Sequence, residues 1–145
     1  MFAFDEFVIS GTSPASASTA VLATEFSVAR FSALAVECEV VGATGGTLDI
    51  YFQIRGGNAA VSTDWYDYAH LPQLAAGAAA SVRAMAFSRS AQQTTITTIG
   101  KNTSPVLAAN TVVGGTFGAT MRILCVAGAG TSAGAALAFH FLGSN

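Results

Sequence analysis

The chain has 145 residues, of which 52% are hydrophobic and only 10% charged, long enough for one domain with a core that needs neither disulfides nor a metal. Six Lys+Arg (Lys101 the single lysine) against eight Asp+Glu exclude a basic nucleic-acid surface, and the hydrophobicity excludes intrinsic disorder. So little charge is unusual for a surface that must stay soluble by itself, so much of the outside is expected to be covered by a partner.

The opening ten residues, Met1-Phe-Ala-Phe-Asp-Glu-Phe-Val-Ile-Ser10, read as a strand on an arm. Phe2, Phe4, Phe7, Val8 and Ile9 are its candidate partner-binding side chains, suited to adding a strand to a neighbour's sheet edge. The run Gly11-Thr-Ser-Pro-Ala-Ser-Ala-Ser-Thr19 is low in complexity and rich in turn formers, which suits a linker. Residues 1–19 are thus expected to be arm and linker, and residues 20–145 a single domain. With no basic residue before Arg30 and with Asp5 and Glu6 present, the opening does not read as a secretory signal.

A strand is expected over 21–30, and another over 31–41, where Leu34, Val36, Cys38 and Val40 alternate with Glu37 and Glu39. The clearest is 47–55: Leu48, Ile50, Phe52 and Ile54 share one face, and Asp49, Tyr51, Gln53 and Arg55 the other. The glycine-bearing run 42–46 between these two predicts a hairpin. Further strands are predicted at 65–70, 80–88, 94–100, 119–127 and 134–142. Alanines over 74–86 could support a helix, but Gly77 and the alternation of Val82, Ala84 and Ala86 favour loop, then strand. The whole reads as an all-β chain, an antiparallel sandwich or jelly roll of about eight strands. The uncharged stretch after Arg122 is long enough to span a membrane, yet Val126-Ala-Gly-Ala-Gly-Thr-Ser-Ala-Gly134 divides it into two strands joined by a loop. Cys38 and Cys125 lie far apart on apolar phases and read as buried free thiols of a protein made in a reducing cytosol.

Little in the chain reads as catalysis. His70 or His140 could join a serine with Asp49, Asp64 or Asp67 as orienter, but no spaced nucleophile motif is present. His140 is out of phase with the apolar Leu137, Phe139 and Phe141, so it is expected at the surface; His70, beside Leu71-Pro72, is expected to bond the backbone. The acids of Asp64-Trp-Tyr-Asp67 lack calcium-loop spacing and read as one loop acid and one strand acid. No cofactor or metal pattern emerges, and no catalytic residue is assigned. Candidate interface charges are Glu37, Glu39, Arg55, Arg83 and Arg122. An alternative from another class makes Trp65, Tyr66 and Tyr68 a stacking platform for a glycan.

The stretch Gly46-Thr-Leu-Asp-Ile-Tyr-Phe-Gln53, then a glycine-bearing loop and Asp64-Trp-Tyr-Asp-Tyr-Ala-His-Leu-Pro-Gln73, resembles small β-sandwich structural proteins of tailed bacteriophage virions. Thr116-Phe-Gly-Ala-Thr-Met-Arg-Ile-Leu-Cys125 and Ala136-Leu-Ala-Phe-His-Phe141 look like their two closing strands. The resemblance covers roughly 31–142 and departs at Gly56-Gly-Asn-Ala-Ala-Val-Ser-Thr63, which replaces the usual Ser-x-Asp-Gly-Gly. It implies a non-enzymatic virion component made in the host bacterial cytoplasm. The type implied is a capsid decoration (cement) protein, a homotrimer bound to the major capsid protein, with neck, tail or fibre-base parts as alternatives. Taken with the charge balance and the turn-broken tail, the expectation is no cofactor, no nucleic-acid partner and no membrane.

Overall fold

The computed structural model describes residues 4–41, 44–55, 64–75, 82–89, 97–115 and 117–145. Among them nine strands and no helix are present: β1 (Phe4–Thr12), β2 (Thr19–Ser27), β3 (Ala33–Val41), β4 (Leu48–Arg55), β5 (Trp65–His70), β6 (Val82–Ser88), β7 (Thr111–Val112), β8 (Thr120–Ala127) and β9 (Ala136–Ser144). One sheet has the order β1-β9-β3-β6 and the other β2-β8-β4-β5-β7.

The strand pairs nest. β1 pairs with β9, β2 with β8, β3 with β6 and β4 with β5, all antiparallel. The chain therefore behaves as one long hairpin rolled over itself, with β3·β9 and β4·β8 closing the two sheets. That is jelly-roll topology, with the two-residue β7 added beside β5. The predicted all-β sandwich is what the chain forms.

Period-two patterning is what makes the layers. In β3 the inward Leu34, Val36, Cys38 and Val40 are buried while Glu37 and Val41 are exposed. Leu48, Ile50 and Phe52 of β4 and Met121, Ile123 and Cys125 of β8 meet them from the other sheet. Phe52 sets its edge against Phe139 and Phe141, with ring centroids 6.2 and 5.9 Å apart, the arrangement the ring quadrupoles favour. Cys38 and Cys125 are both buried, and burial, with smaller contributions from Cys38 and Asp49, pushes the Cys125 thiol up to about 12. No helix among the described residues is long and apolar enough to cross a membrane.

Three expectations need correction. The 42–46 connection does not close a hairpin: β3 lies in one sheet and β4 in the other, so the link crosses the sandwich. Alternation reports which side chains face inward, and it is the same for a strand in either sheet. The opening is not a free arm, because β1 pairs with β9 from Phe4↔Ser144 to Thr12↔Ala136. Its linker is fastened as well. Ser13 exchanges backbone bonds with Ala135 and Gly134, and its Oγ donates to Ser132 O at 2.7 Å and accepts from Ala135 N at 2.9 Å. The strand expected over 94–100 is absent from 97–100, which are irregular, while 94–96 lie outside the described residues.

Candidate functional site

Three outward positions of β8, β4 and β5 stand in register: Arg122, Gln53 and Asp67. They form a continuous polar chain. Arg122 Nε donates to Gln53 Oε1 at 2.8 Å, and Gln53 Nε2 donates to Asp67 Oδ1 at 2.9 Å and to the Asn102 carbonyl at 2.8 Å. Asp67 Oδ2 then accepts the backbone N–H groups of Gly100, Val106 and Leu107 at 2.8, 2.9 and 3.2 Å. A carboxylate buried to 1% exposure is tolerable only with such a set of donors. Gly100 is required here, because a Cβ would collide with Ser104 O, Pro105 and the Asp67 carboxylate.

The network fastens residues 100–107 over the outer face of the five-stranded sheet, after which the chain joins the sheet edge as β7. Asn102, at φ 55°, accepts from Trp65 N through Oδ1 at 3.0 Å and donates through Nδ2 to Asp64 at 3.1 Å. Lys101 pairs with Asp64 at 2.7 Å, which together with the Asn102 bond holds the Asp64 carboxyl below its usual range. Leu107 inserts between Tyr51 and Leu124, with Val21, Val113 and Val126 around them, as a second small core. Burial, then Asp49 and Asp67, push the Tyr51 hydroxyl up to about 12.

His70 has the environment expected of it. Its Nδ1 lies 2.7 Å from the Leu107 carbonyl, its Nε2 3.0 Å from Asp49 Oδ1, and its ring stacks on Tyr51 at 3.9 Å. Asp49 also accepts from Gln73 at 2.9 Å. Of the orienters considered, Asp49 is thus the one brought to a histidine, but both ring nitrogens already face acceptors and no serine sits between them. The residues grip a segment of chain.

The other sequence-predicted sites separate. Trp65 is 7% exposed and Tyr68 1%, and the Arg122 and Arg55 guanidiniums lie 5.0 and 5.8 Å from the Trp65 ring. Tyr68 donates to Gly115 O at 3.0 Å from the core side, at a register shift in the β4–β5 pairing, while Tyr66 is half-buried. The three rings form no open platform: alternation along β5 sets Tyr68 inward, opposite Trp65, which stays outward under two arginines. In the opening strand, Phe7 stacks on Phe141 at 4.6 Å and Ile9 packs on the core, whereas Val8 faces outward. The side chain of Phe4 and all of Phe2 lie outside the described residues. Arg55 pairs with Glu25 at 3.3 Å, so Arg55 and Arg122 belong to the five-stranded sheet. Glu37 and Glu39 belong to the four-stranded one, and Arg83 stands opposite Cys38 in register with its side chain outside the described set. His140 is exposed, 3.5 Å from Glu39. No metal-holding cluster of His, Cys, Asp or Glu occurs among the described residues.

No protein-family model and no curated protein matches the chain. Among solved structures it is similar to a subunit of Bacillus endospore appendages, described as disulfide-linked pili. There the identity is 10% and the TM-score 0.40, over 99% of this chain and 88% of that one. It is also similar to infectious bursal disease virus of the Gx strain, at 11% identity and TM-score 0.41, over 98% of this chain and 31% of that one. The Gt strain of that virus gives 12% identity and TM-score 0.34, over 100% of this chain and 37% of that one. The chain thus spans about a third of the viral chains it matches.

Proposed function

We propose that the chain is a non-enzymatic structural subunit of a virion, a capsid decoration protein that binds a tailed phage head and stabilises it. The observation that carries this reading is how the polar residues are used. Asp49, Gln53, Asp67, His70 and Arg122 are all engaged in holding residues 100–107 onto their own sheet. What the four-stranded sheet presents to solvent is instead a face of exposed apolar residues, small side chains and a few carboxylates, suited to contact with another subunit. The resemblance of 46–53 and 64–73 to phage structural proteins agrees with this.

The test is to add the purified chain to heads of the same phage assembled without it. The expected result is a trimer in sedimentation that binds the heads and raises their resistance to heat. A monomer that leaves head stability unchanged would sink the reading.

A further inference from the structure

We propose that the outer face of the four-stranded sheet is the docking surface, and that its partner is a protein surface bearing arginine or lysine. The inference deepens the decoration reading and rests on it for the particle involved.

The face is laid out by register. Across β1, β9 and β3 run the rows Glu6–Leu142–Ala35, Val8–His140–Glu37, Ser10–Ala138–Glu39 and Thr12–Ala136–Val41. Of five large apolar side chains exposed among the described residues, three stand here: Val8 at 56%, Val41 at 55% and Leu142 at 42%. Ala35, Ser10, Ala138, Thr12 and Ala136 stand among them with Glu6, Glu37, Glu39 and His140, so the face mixes apolar, small and acidic side chains.

Charge chooses the partner. The chain has eight carboxylate side chains, and five are engaged elsewhere. Asp5 pairs with Arg30, Glu25 with Arg55 and Asp64 with Lys101. Asp49 is held by His70 and Gln73, and Asp67 by Gln53 and three backbone N–H groups. The remaining three, Glu6, Glu37 and Glu39, all lie on this face. Among the described residues the one Lys, Arg or His side chain within ion-pair distance of them is His140. Among the described side chains this face is therefore acidic, carrying Glu6, Glu37 and Glu39 with no arginine or lysine paired to them. A second copy laid face to face would set like carboxylates against each other, and nucleic acid or an anionic membrane would be repelled. A protein face carrying Arg or Lys would gain both complementarity and steering.

The test titrates the full chain, its Glu37→Gln/Glu39→Gln variant and a Glu25→Gln control from the other sheet onto heads assembled without it, at low and high salt. The double variant is expected to bind roughly tenfold more weakly at low salt, with a flatter salt dependence, while the control follows the parent chain. A double variant with unchanged affinity and salt slope overturns the docking face and leaves the decoration reading standing. If the parent chain does not bind heads, the decoration reading falls. The face is then judged in cells expressing the chain, by photocrosslinking from p-benzoylphenylalanine placed at Val8 or Leu142, with Val106 as control. Adducts to a Lys/Arg-bearing peptide of another protein, lost on Glu37→Gln/Glu39→Gln, support it. Adducts to a second copy, adducts from Val106 alone, or none at all overturn it.

Discussion

The two sheets treat their outer faces in opposite ways. The five-stranded sheet places Gln53, Asp67, His70 and Arg122 outward and then covers them with residues 100–107 of the same chain. The four-stranded sheet places Val8, Glu37, His140 and Leu142 outward and covers them with nothing among the described residues. One face therefore spends its polarity on intramolecular stability, and the other holds its polarity and apolar area in reserve. The consequence is a sharp division of mutational effects: large losses of stability under the cover, near-neutrality on the bare sheet.

The largest loss is expected at Asp67→Ala. It strands the N–H groups of Gly100, Val106 and Leu107 together with Gln53 Nε2, a cost of about 3–5 kcal/mol. Guanidinium unfolding gives the magnitude. Hydrogen exchange should show faster exchange across 100–107 than in β3 or β9, and uniform loosening of both sheets would break the division. Leu107→Ala removes the apolar anchor of the same segment, buried to 1%, and should cost about 2–4 kcal/mol. Phe7→Ala tests the opening strand from its inward side. Because Phe7 is only half-buried against Phe141, Phe31 and Phe26, about 2–3 kcal/mol is expected. No change in unfolding midpoint would restore the free-arm view.

Much of this architecture was legible in the residues, and the rest was not for identifiable reasons. Alternation located β3, β4, β5, β8 and β9 closely, and it identified Leu34, Ile50 and Phe139 as inward-facing. Alternation carries no information about which strand lies alongside, so the link 42–46 was read as a hairpin although it crosses between sheets. The cover was hidden for a different reason. Asp67 meets its backbone donors 33, 39 and 40 residues away, and nothing local in 97–107 signals that pairing. A faint signal did exist: Gln53, Asp67 and Arg122 all fall on outward phases, where exposed positions of β3 show a simpler pattern. Trp65, Tyr66 and Tyr68 share no face, because period two already sets Trp65 opposite the two tyrosines, whereas the β4–β5 register shift, which changes the phase of Ala69 and His70, cannot be read from it.

Alkaline pH sharpens the comparison further. Burial is the leading cause that pushes Cys125, Tyr51 and Tyr68 each up to about 12, with Arg89 opposing it at Tyr68. All three folded-state values are raised, so the stability these groups hold is complete below their ordinary values. Those values are 9.0 for the thiol and 10.0 for the phenols, and the stability is lost as pH rises from there toward 12. Unfolding free energy should be flat from neutral pH to about 9 and fall beyond it. Tyr51 sits beneath the cover, so Tyr51→Phe should lessen the alkaline loosening of 100–107. An unchanged alkaline limb in that variant would detach the cover from Tyr51.

The smallest expected effect is the most telling. Val8 and Leu142 are large apolar residues, and substitution of such residues inside a core costs several kcal/mol. Here they point away from the core, at 56% and 42% exposure, so the isolated chain already leaves much of that surface in water. Val8→Ser and Leu142→Ser should therefore change the unfolding free energy by no more than about 0.5 kcal/mol. If the face docks as proposed, the same changes remove apolar area from that contact, so any larger penalty should appear as lost binding. The two measurements separate what the residues do for the fold from what they do for assembly. A stability loss as large as that of Phe7→Ala would mean that the face is covered by its own chain after all, and the contrast between the two sheets would collapse.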